Sequence, residues 1–218
     1  MTLQDDRTLE LNVSEIFGPT WQGEGPSTGR FCAFLRLAGC NLACPWCDSK
    51  YARVGQVMTV TSIVSKILEI PTRRLIITGG EPLLQQAGVQ AVINAVQKVQ
   101  FVVEIETNGT IVPQLTGVHQ YNVSPKLLNG AKDVDAQVIQ AFRRAGCEVF
   151  KFVCGTVQDV EEVRNLNIRP EFVWIMPKGV SVAELDASLA AIVPRAMKYG
   201  YNLTDRLHIR IWGNRRGH

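Results

Sequence analysis

The chain has 218 residues, of which 46% are hydrophobic and 20% charged, as in soluble globular domains and unlike disordered or fibrous chains. A net charge of +3 is too small to indicate a nucleic-acid-binding surface, although the stretch 215–218 is basic. Mean hydropathy is +0.04, no apolar run approaches the roughly 18 residues of a membrane span, and the first residues lack a signal-peptide pattern. These features predict a cytoplasmic globular protein without direct contact with nucleic acid or membrane.

Short apolar runs rich in β-branched residues alternate with longer segments of helical period, which is the pattern of βα units and a parallel sheet. The predicted strands, in chain order, cover residues 31–37, 75–78, 101–107, 121–124, 148–153, 172–176 and 207–212. Six or seven such units form either a doubly wound sheet or an incomplete barrel, and periodicity does not choose between them. In both folds ligands bind at the C-terminal ends of the strands.

Apolar stripes at helical spacing predict helices between these strands, one stripe running from Val60 to Leu68 and a longer one from Leu84 to Val99. The pairs Thr156/Asp159 and Ser181/Glu184 have the spacing of capping boxes, so helices are expected to begin near Thr156 and Ser181. Proline interrupts the helical hydrogen-bond ladder, and Pro194 is therefore expected to kink or divide the last helix.

Six cysteines in a chain of this length, without a signal peptide, indicate metal binding or reactive thiols rather than disulfides. A C-x3-C-x2-C motif directly follows the first predicted strand, and its members are Cys40, Cys44 and Cys47. Three thiolates on one loop can hold three irons of a cubane cluster and leave the fourth iron open. We expect Cys32, Cys147 and Cys154 not to bind the cluster. Structural zinc, the alternative, requires a fourth ligand, for which Cys32 lies eight residues upstream inside a strand.

This motif, with Trp46 before its last cysteine, resembles that of the radical S-adenosylmethionine (radical SAM) superfamily, whose members have a partial (β/α) barrel and a [4Fe-4S] cluster. The resemblance implies that S-adenosylmethionine chelates the open iron and is cleaved to a 5′-deoxyadenosyl radical. The segment Thr78-Gly79-Gly80-Glu81-Pro82 supports it: two glycines permit close backbone approach to a ligand, and a carboxylate there can bind an ammonium group. By itself, the segment is equally well explained as an ordinary βα turn.

Further polar residues lie at predicted strand ends. Glu104 and Glu106 share one face of an apolar strand, where unpaired charges are costly. A salt bridge from Glu106 to Lys151 is one explanation; we favour a second, which places Glu106 and Asn108 beside the cofactor ribose. The role of Glu104 stays open. The predicted cofactor-binding residues, including a Ser-Pro-Lys segment that resembles a further superfamily motif, are Trp46, Gly80, Glu81, Glu106, Asn108, Ser124, Pro125 and Lys126.

The stretch from Glu15 to Gly25, Arg36 and the Cys47-Asp48-Ser49 segment resemble the 7-carboxy-7-deazaguanine synthase family over nearly the whole chain. The resemblance implies one radical SAM domain, 1–218 with a core at about 15–214, folded as an incomplete (β/α) barrel. It implies that the enzyme contracts the ring of 6-carboxy-5,6,7,8-tetrahydropterin to form 7-carboxy-7-deazaguanine with loss of ammonia. It also implies that Ser49 binds Mg²⁺, that the electron donor is a protein such as flavodoxin or ferredoxin, and that the chain forms a homodimer. The implied substrate-binding residues are Trp21, Gln22, Gly23, Arg36, Thr78 and His208.

Strand alternation places Arg36 on the face of Cys32 and Phe34, toward the barrel interior, where a guanidinium can hold the substrate carboxylate bidentately. The alternative is an ion pair with Glu24 or Glu106 that only stabilises the fold.

Two other implied ligands also have ordinary explanations. Ser49 alone reads as a helix cap, because one hydroxyl binds Mg²⁺ weakly unless substrate oxygens and waters complete the octahedron. His208 lies on a predicted strand and is equally well explained as a core residue.

Two other functions are compatible with parts of the pattern. A radical-activating enzyme would share the cysteine motif and the Gly-Gly-Glu turn but act on a protein glycine, which the Gln22-Gly-Glu-Gly run and Arg36 disfavour. A non-catalytic iron–sulfur or zinc module would not need polar motifs at successive strand ends. The roles of Lys151, Met176 and the basic residues 215–218 stay open.

Overall fold

The computed structural model describes residues 8–127, 136–146 and 149–217. Its strands are β1 (Glu10–Trp21), β2 (Phe31–Leu37), β3 (Gln56–Thr59), β4 (Arg74–Gly79), β5 (Val102–Thr107), β6 (Gln120–Val123), β7 (Val149–Cys154), β8 (Val173–Pro177) and β9 (Asn202–Leu203). Its α-helices are α1 (Val60–Leu68), α2 (Gln86–Gln97), α3 (Ala136–Arg144), α4 (Val157–Asn165), α5 (Val182–Tyr199) and α6 (Leu207–Trp212). None of these helices is long and apolar enough to cross a membrane.

The strands form one sheet in the order β3-β1-β2-β4-β5-β6-β7-β8-β9. From β2 to β9 every neighbouring pair is parallel and the strands follow chain order, whereas β1 pairs antiparallel with both β2 and β3. A doubly wound sheet reverses its strand order at a switch point, while a barrel advances in one direction. The unreversed order therefore selects the barrel, and because β3 and β9 do not pair within the described residues, the barrel is incomplete.

The core lies between this sheet and the helices, which bury one apolar face each. Helix α1 buries Val60, Ile63 and Ile67, but Leu68, from the predicted stripe, is 44% exposed. Leu84 and Val99 lie outside α2 and are also exposed, so neither predicted stripe is correct along its whole length.

Both predicted helix starts are confirmed. Thr156 and Ser181 each accept a hydrogen bond from the third backbone amide of the following helix, and the acidic residue there completes the capping box. Of the kink or division predicted at Pro194, the division is wrong, because α5 continues through this residue over 18 residues. One missing N–H is tolerated in a helix of this length that packs against α4 and β8.

The predicted strand at 207–212 is wrong, because these residues form α6. Alternating Leu207, Ile209 and Ile211 imitate a strand, yet only Ile209 is buried, and the last strand is the short β9 just before. The sequence also failed to predict β1 and β3. Strand β1 is of mixed polarity and contains the cis Gly18–Pro19 peptide with a register shift, features that obscure alternation. Cys147 and Glu148 lie outside the described residues.

Candidate active site

A cavity of about 960 Å³ opens at the edge where the parallel strands end, a volume in the range of natural ligand pockets. Most of the predicted site residues line it: Trp21, Gln22, Gly23, Arg36, Cys40, Cys44, Trp46, Cys47, Ser49, Thr78, Gly80, Glu106, Asn108, Ser124, Lys126 and His208. Glu81 and Pro125 are buried and do not line it. The fold thus assembles one site from residues that span most of the chain.

The loop after β2 brings Cys40, Cys44 and Cys47 to the cavity as free thiols. Cys44 is buried, and burial raises the pKa of its thiol although Lys126 opposes this. Cys32 and Cys154 are fully buried in strands away from the cavity, and burial raises the pKa of Cys32 to about 12. The described cysteines therefore divide into three that line the cavity and two that are buried away from it.

These thiols suit an iron–sulfur cluster in kind and number, since soft thiolates ligate such clusters and three of them leave one iron open. Among the described residues, no three His, Cys, Asp or Glu side chains converge as the ligands of a single ion do. A cluster does not require such convergence, because its thiolates bind separate irons.

The two glycines after β4 allow one backbone to lie directly on another. A Cβ at Gly79, whose φ is +139°, would lie 2.1 Å from the Leu37 carbonyl oxygen, and one at Gly80 would lie 2.0 Å from that of Gly39. The amides of Gly80 and Glu81 donate to these same carbonyls at 3.1 and 2.9 Å. The close approach that the glycines permit is thus to the segment leading into the cysteine loop.

The Glu81 carboxylate lies behind the cavity wall. It is fully buried and accepts hydrogen bonds from the Leu83 amide, the Thr107 hydroxyl and the Asn108 amide at 2.9, 2.8 and 2.7 Å. Burial raises the pKa of Glu81, although these donors oppose the shift. In this arrangement Glu81 joins the turn after β4 to the end of β5, and its predicted contact with the cofactor ammonium stays a prediction.

Three further predicted cofactor-binding residues surround the cysteine loop. The Asn108 side-chain amide donates to Asn41 Oδ1 at 2.9 Å and lies 3.8 Å from Cys40 Sγ. Lys126 Nζ donates to Ser124 Oγ at 2.9 Å, and burial together with the nearby Lys151 ammonium lowers the pKa of Lys126.

Glu106 lines the cavity and forms the salt bridge that was its structural explanation, with Lys151 Nζ at 2.8 Å. Its other oxygen accepts from Gln22 Nε2 and Asn122 Nδ2, each at 3.0 Å. Burial raises the pKa of Glu106, and Lys151 opposes the shift. The proposed ribose contact stays a prediction.

Lys151 continues this network into residues that sequence reasoning missed. Its ammonium also binds Glu24 at 2.6 Å, Glu24 binds Arg206 Nε at 3.0 Å, and Arg206 pairs with Asp48. Burial opposes ionisation of Glu24, but Lys151, Arg206 and His208 hold its pKa well below the usual range. Likewise the two carboxylates outweigh burial and raise the pKa of Lys151. No local pattern signals this network, since its members come from distant segments.

Arg36 faces the cavity as predicted, but its partner is neither Glu24 nor Glu106. Its Nε donates to Glu15 Oε1 at 2.7 Å, because the register of β1 on β2 places Glu15 opposite Arg36. The guanidinium carbon lies 5.7 and 5.6 Å from the ring centres of Phe17 and Tyr51. The failure to predict β1 concealed this ion pair.

His208 reaches the cavity from α6 rather than from a strand. A Cβ at Gly23 would lie 2.1 Å from His208 Nδ1, so a glycine is required there, and the Leu207 amide donates to the Gly23 carbonyl at 2.9 Å. Burial lowers the pKa of His208, although the nearby Glu24 carboxylate opposes the shift. The Trp21 ring belongs to the same wall and stacks on the Trp212 ring, with 5.8 Å between the ring centres.

Ser49 and Glu104 have contacts that their sequence positions did not reveal. Ser49 precedes a short 3₁₀ turn but makes no side-chain capping bond to it, and its hydroxyl donates to Asp48 Oδ1 at 2.9 Å. The cap interpretation is therefore wrong, while Mg²⁺ ligation stays a prediction. Glu104 is fully buried, pairs with Arg74 and accepts from Ser27 Oγ at 2.8 Å, which answers its open role with a structural one.

The radical SAM superfamily model matches residues 35–151 of this chain. The 7-carboxy-7-deazaguanine synthase of Pyrobaculum aerophilum is 38% identical over 96% of this chain and 98% of its own length. The enzymes of the same name from Hyperthermus butylicus and Rhodopirellula baltica are 37% and 33% identical over 91% and 95% of this chain, and over 92% and 88% of their own lengths. This chain belongs to the 7-carboxy-7-deazaguanine synthase family. The fold of QueE from Escherichia coli is similar, with a TM-score of 0.73 at 24% identity over 91% of this chain and 95% of that one.

Membership confirms the predicted fold class, the enzymatic nature of the chain and its place in 7-deazapurine biosynthesis, and it confirms a [4Fe-4S] cluster and S-adenosylmethionine as cofactors. Such an enzyme acts on a small molecule and draws electrons from a reductant. Cys40, Cys44 and Cys47 are the residues that would hold the cluster. Neither a glycine-radical activator nor a non-catalytic module is supported.

Proposed function

We propose that this enzyme converts 6-carboxy-5,6,7,8-tetrahydropterin to 7-carboxy-7-deazaguanine with loss of ammonia, within one domain whose core covers residues of about 15–214. The observation that carries the proposal is a cavity with three free thiols on one wall and the Arg36 guanidinium on another. The names of the relatives indicate the reaction, and the cavity can hold a carboxylate near the cluster-binding loop.

Arg36 is suited to the substrate carboxylate. The Nε–H of Arg36 donates to Glu15, and no described residue accepts a hydrogen bond from the terminal N–H groups of Arg36. These groups form the planar fork that matches a carboxylate. We assign the pterin rings to the adjoining wall formed by Trp21, Gln22, Gly23, Thr78 and His208.

The residues around the cysteine loop are suited to the cofactor. When bound, the cluster supplies the electron that cleaves S-adenosylmethionine. We assign the cofactor to Trp46, Gly80, Glu81, Glu106, Asn108, Ser124, Pro125 and Lys126, all of which line the cavity except the buried Glu81 and Pro125. Lys178 Nζ lies 5.7 Å from the Trp46 ring centre and steadies the indole by a cation–π contact.

Ser49 is the proposed Mg²⁺ ligand. Its hydroxyl lies on the cavity wall beside the Asp48 carboxylate, and Mg²⁺ prefers such oxygen ligands completed by water and substrate. The ion would orient the substrate rather than activate a nucleophile. We further propose a cytoplasmic homodimer reduced by a flavodoxin or ferredoxin, without direct contact with nucleic acid or membrane.

The direct test is anaerobic incubation of the reconstituted enzyme with S-adenosylmethionine, Mg²⁺, a reductant and the carboxypterin, followed by chromatography and mass spectrometry. We expect 7-carboxy-7-deazaguanine and one ammonia for each substrate consumed. A Cys47→Ala enzyme is the matched control and should form neither. A fully reconstituted enzyme that cleaves S-adenosylmethionine but leaves the carboxypterin intact would refute the substrate assignment.

A further inference from the structure

A second arginine meets the Arg36 site from the segment that follows α6. Arg216 Nε donates to Glu15 Oε2 at 2.9 Å, and its guanidinium carbon lies 4.3 Å from the centre of the Tyr51 ring. The other oxygen of the same carboxylate accepts from Arg36 Nε at 2.7 Å. One glutamate therefore holds two guanidinium groups beside a single tyrosine ring.

In this arrangement both arginines still have N–H donors available to a ligand in the cavity. Arg36, Tyr51 and Arg216 line it, whereas Glu15 does not and so lies behind them. Each arginine uses Nε–H for Glu15, and among the described residues nothing accepts a hydrogen bond from the terminal N–H groups of either.

The group formed by Glu15, Arg36 and Arg216 carries one more positive charge than negative charge. Two cations share one carboxylate, and close like charges repel unless an additional anion offsets them. A carboxylate entering from the cavity would supply that charge and could accept a hydrogen bond from each guanidinium, which is the stronger, charge-assisted kind.

We propose that Arg216 is a second carboxylate-binding residue, which acts with Arg36 to select a pterin that carries a carboxylate over one that lacks it. This inference rests on the proposed function and names the specificity determinant of that site. The Arg36 side chain is 15% exposed and held between β1 and β2, whereas that of Arg216 is 54% exposed. Arg36 thus provides the fixed half of the site and Arg216 the adjustable half.

A purely structural role for Arg216 makes a different prediction. If its ion pair only fastens residues 213–217 to β1, its loss would affect stability, or both ligands equally, but not the preference between them. The preference between two ligands that differ in one carboxylate therefore separates the two roles.

The experiment compares 6-carboxypterin with pterin, two stable fluorescent probes, on the anaerobic enzyme loaded with cluster and S-adenosylmethionine. In fluorescence titrations, Arg216→Gln should weaken 6-carboxypterin about 10- to 100-fold, the usual effect of losing a charged hydrogen bond, and change pterin by less than about twofold. Arg216→Lys should recover part of the loss, because it restores the charge but not the planar fork. Arg36→Gln should show the same selectivity with at least as large an effect.

Arg144→Gln is the matched control, since it removes the same charge from an exposed arginine that does not line the cavity and should leave both affinities nearly unchanged. Equal losses from Arg144→Gln and Arg216→Gln would overturn the proposal in favour of general electrostatics. Unchanged 6-carboxypterin binding by Arg216→Gln, with Arg36→Gln impaired, would overturn it while leaving the proposed function standing. A wild-type enzyme without preference for 6-carboxypterin would overturn both.

Discussion

Two walls of the cavity are built on opposite principles. The cysteine wall, formed by Cys40, Cys44 and Cys47, comes from eight consecutive residues, and its thiols form no salt bridge with any described residue. The ionic wall, formed by Glu24, Lys151, Glu106, Arg206 and Asp48, comes from segments up to 182 residues apart. Within it each charge is paired. The thiols are thus left available to a ligand, while the charged groups of the ionic wall satisfy one another, including Glu106, which also lines the cavity.

The largest expected effect is on the cysteine wall. Cys47→Ala should abolish the brown colour, the iron content and all activity, because two remaining thiolates cannot hold the cluster. Circular dichroism should be unchanged, since few protein contacts depend on this thiol. The control, Cys154→Ala, should keep cluster and activity. A full [4Fe-4S] spectrum in the triple Cys40/Cys44/Cys47 alanine variant would contradict the ligand assignment.

The ionic wall should respond in stability instead. Lys151→Met leaves Glu24 and Glu106 buried without their shared cation and should lower the free energy of unfolding by about 3–5 kcal/mol. Urea unfolding followed by circular dichroism measures this loss. Adding Glu106→Gln removes one orphaned charge and should restore part of it. Lys198→Met, at an exposed position, serves as the control. An equal loss of unfolding free energy in both single variants would show that the network contributes no more to stability than an exposed lysine does.

The pH dependence of stability sharpens the comparison. Because the pKa of Glu24 is lowered by folding, its stabilising contribution is complete above its unfolded pKa of about 4.5 and declines as the pH falls toward the folded value. The difference in unfolding free energy between wild type and Glu24→Gln should be on the order of 2 kcal/mol at pH 7 and shrink below pH of about 4.5. Glu171→Gln removes an exposed ion pair and should cost little at either pH. A difference that does not change with pH would refute the ionised role of Glu24.

The smallest effect is expected where the two walls meet, at Ser49. Ser49→Ala should reduce Mg²⁺ stimulation of turnover several-fold while leaving the cluster spectrum and S-adenosylmethionine binding intact, because it removes one oxygen ligand of several. Initial rates across a Mg²⁺ titration, after thorough chelation, measure this. Ser65→Ala, on the exposed side of α1, is the control. Undiminished stimulation in Ser49→Ala would reduce Ser49 to the hydrogen-bond partner of Asp48.

The sequence by itself determined those features that are written in neighbouring residues. Apart from β3, the strands from β2 to β8 follow apolar runs, the boundaries of β2 are the predicted ones, and both capping boxes formed as their spacing predicts. The cysteine motif needs no distant segment to be recognised, and its resemblance to a known family carried the function.

Only the tertiary structure decided which distant groups meet. It set the order of the strands in the sheet, made 207–212 a helix that carries His208, and paired Arg36 with Glu15 from the unpredicted strand β1. It also joined Lys151 to Glu24, and Arg216 to Glu15. The physical reason is that local periodicity reports which side of an element is buried, not what buries it. A buried charge selects its partner from whatever the register of the sheet and the path of the chain bring within hydrogen-bonding distance.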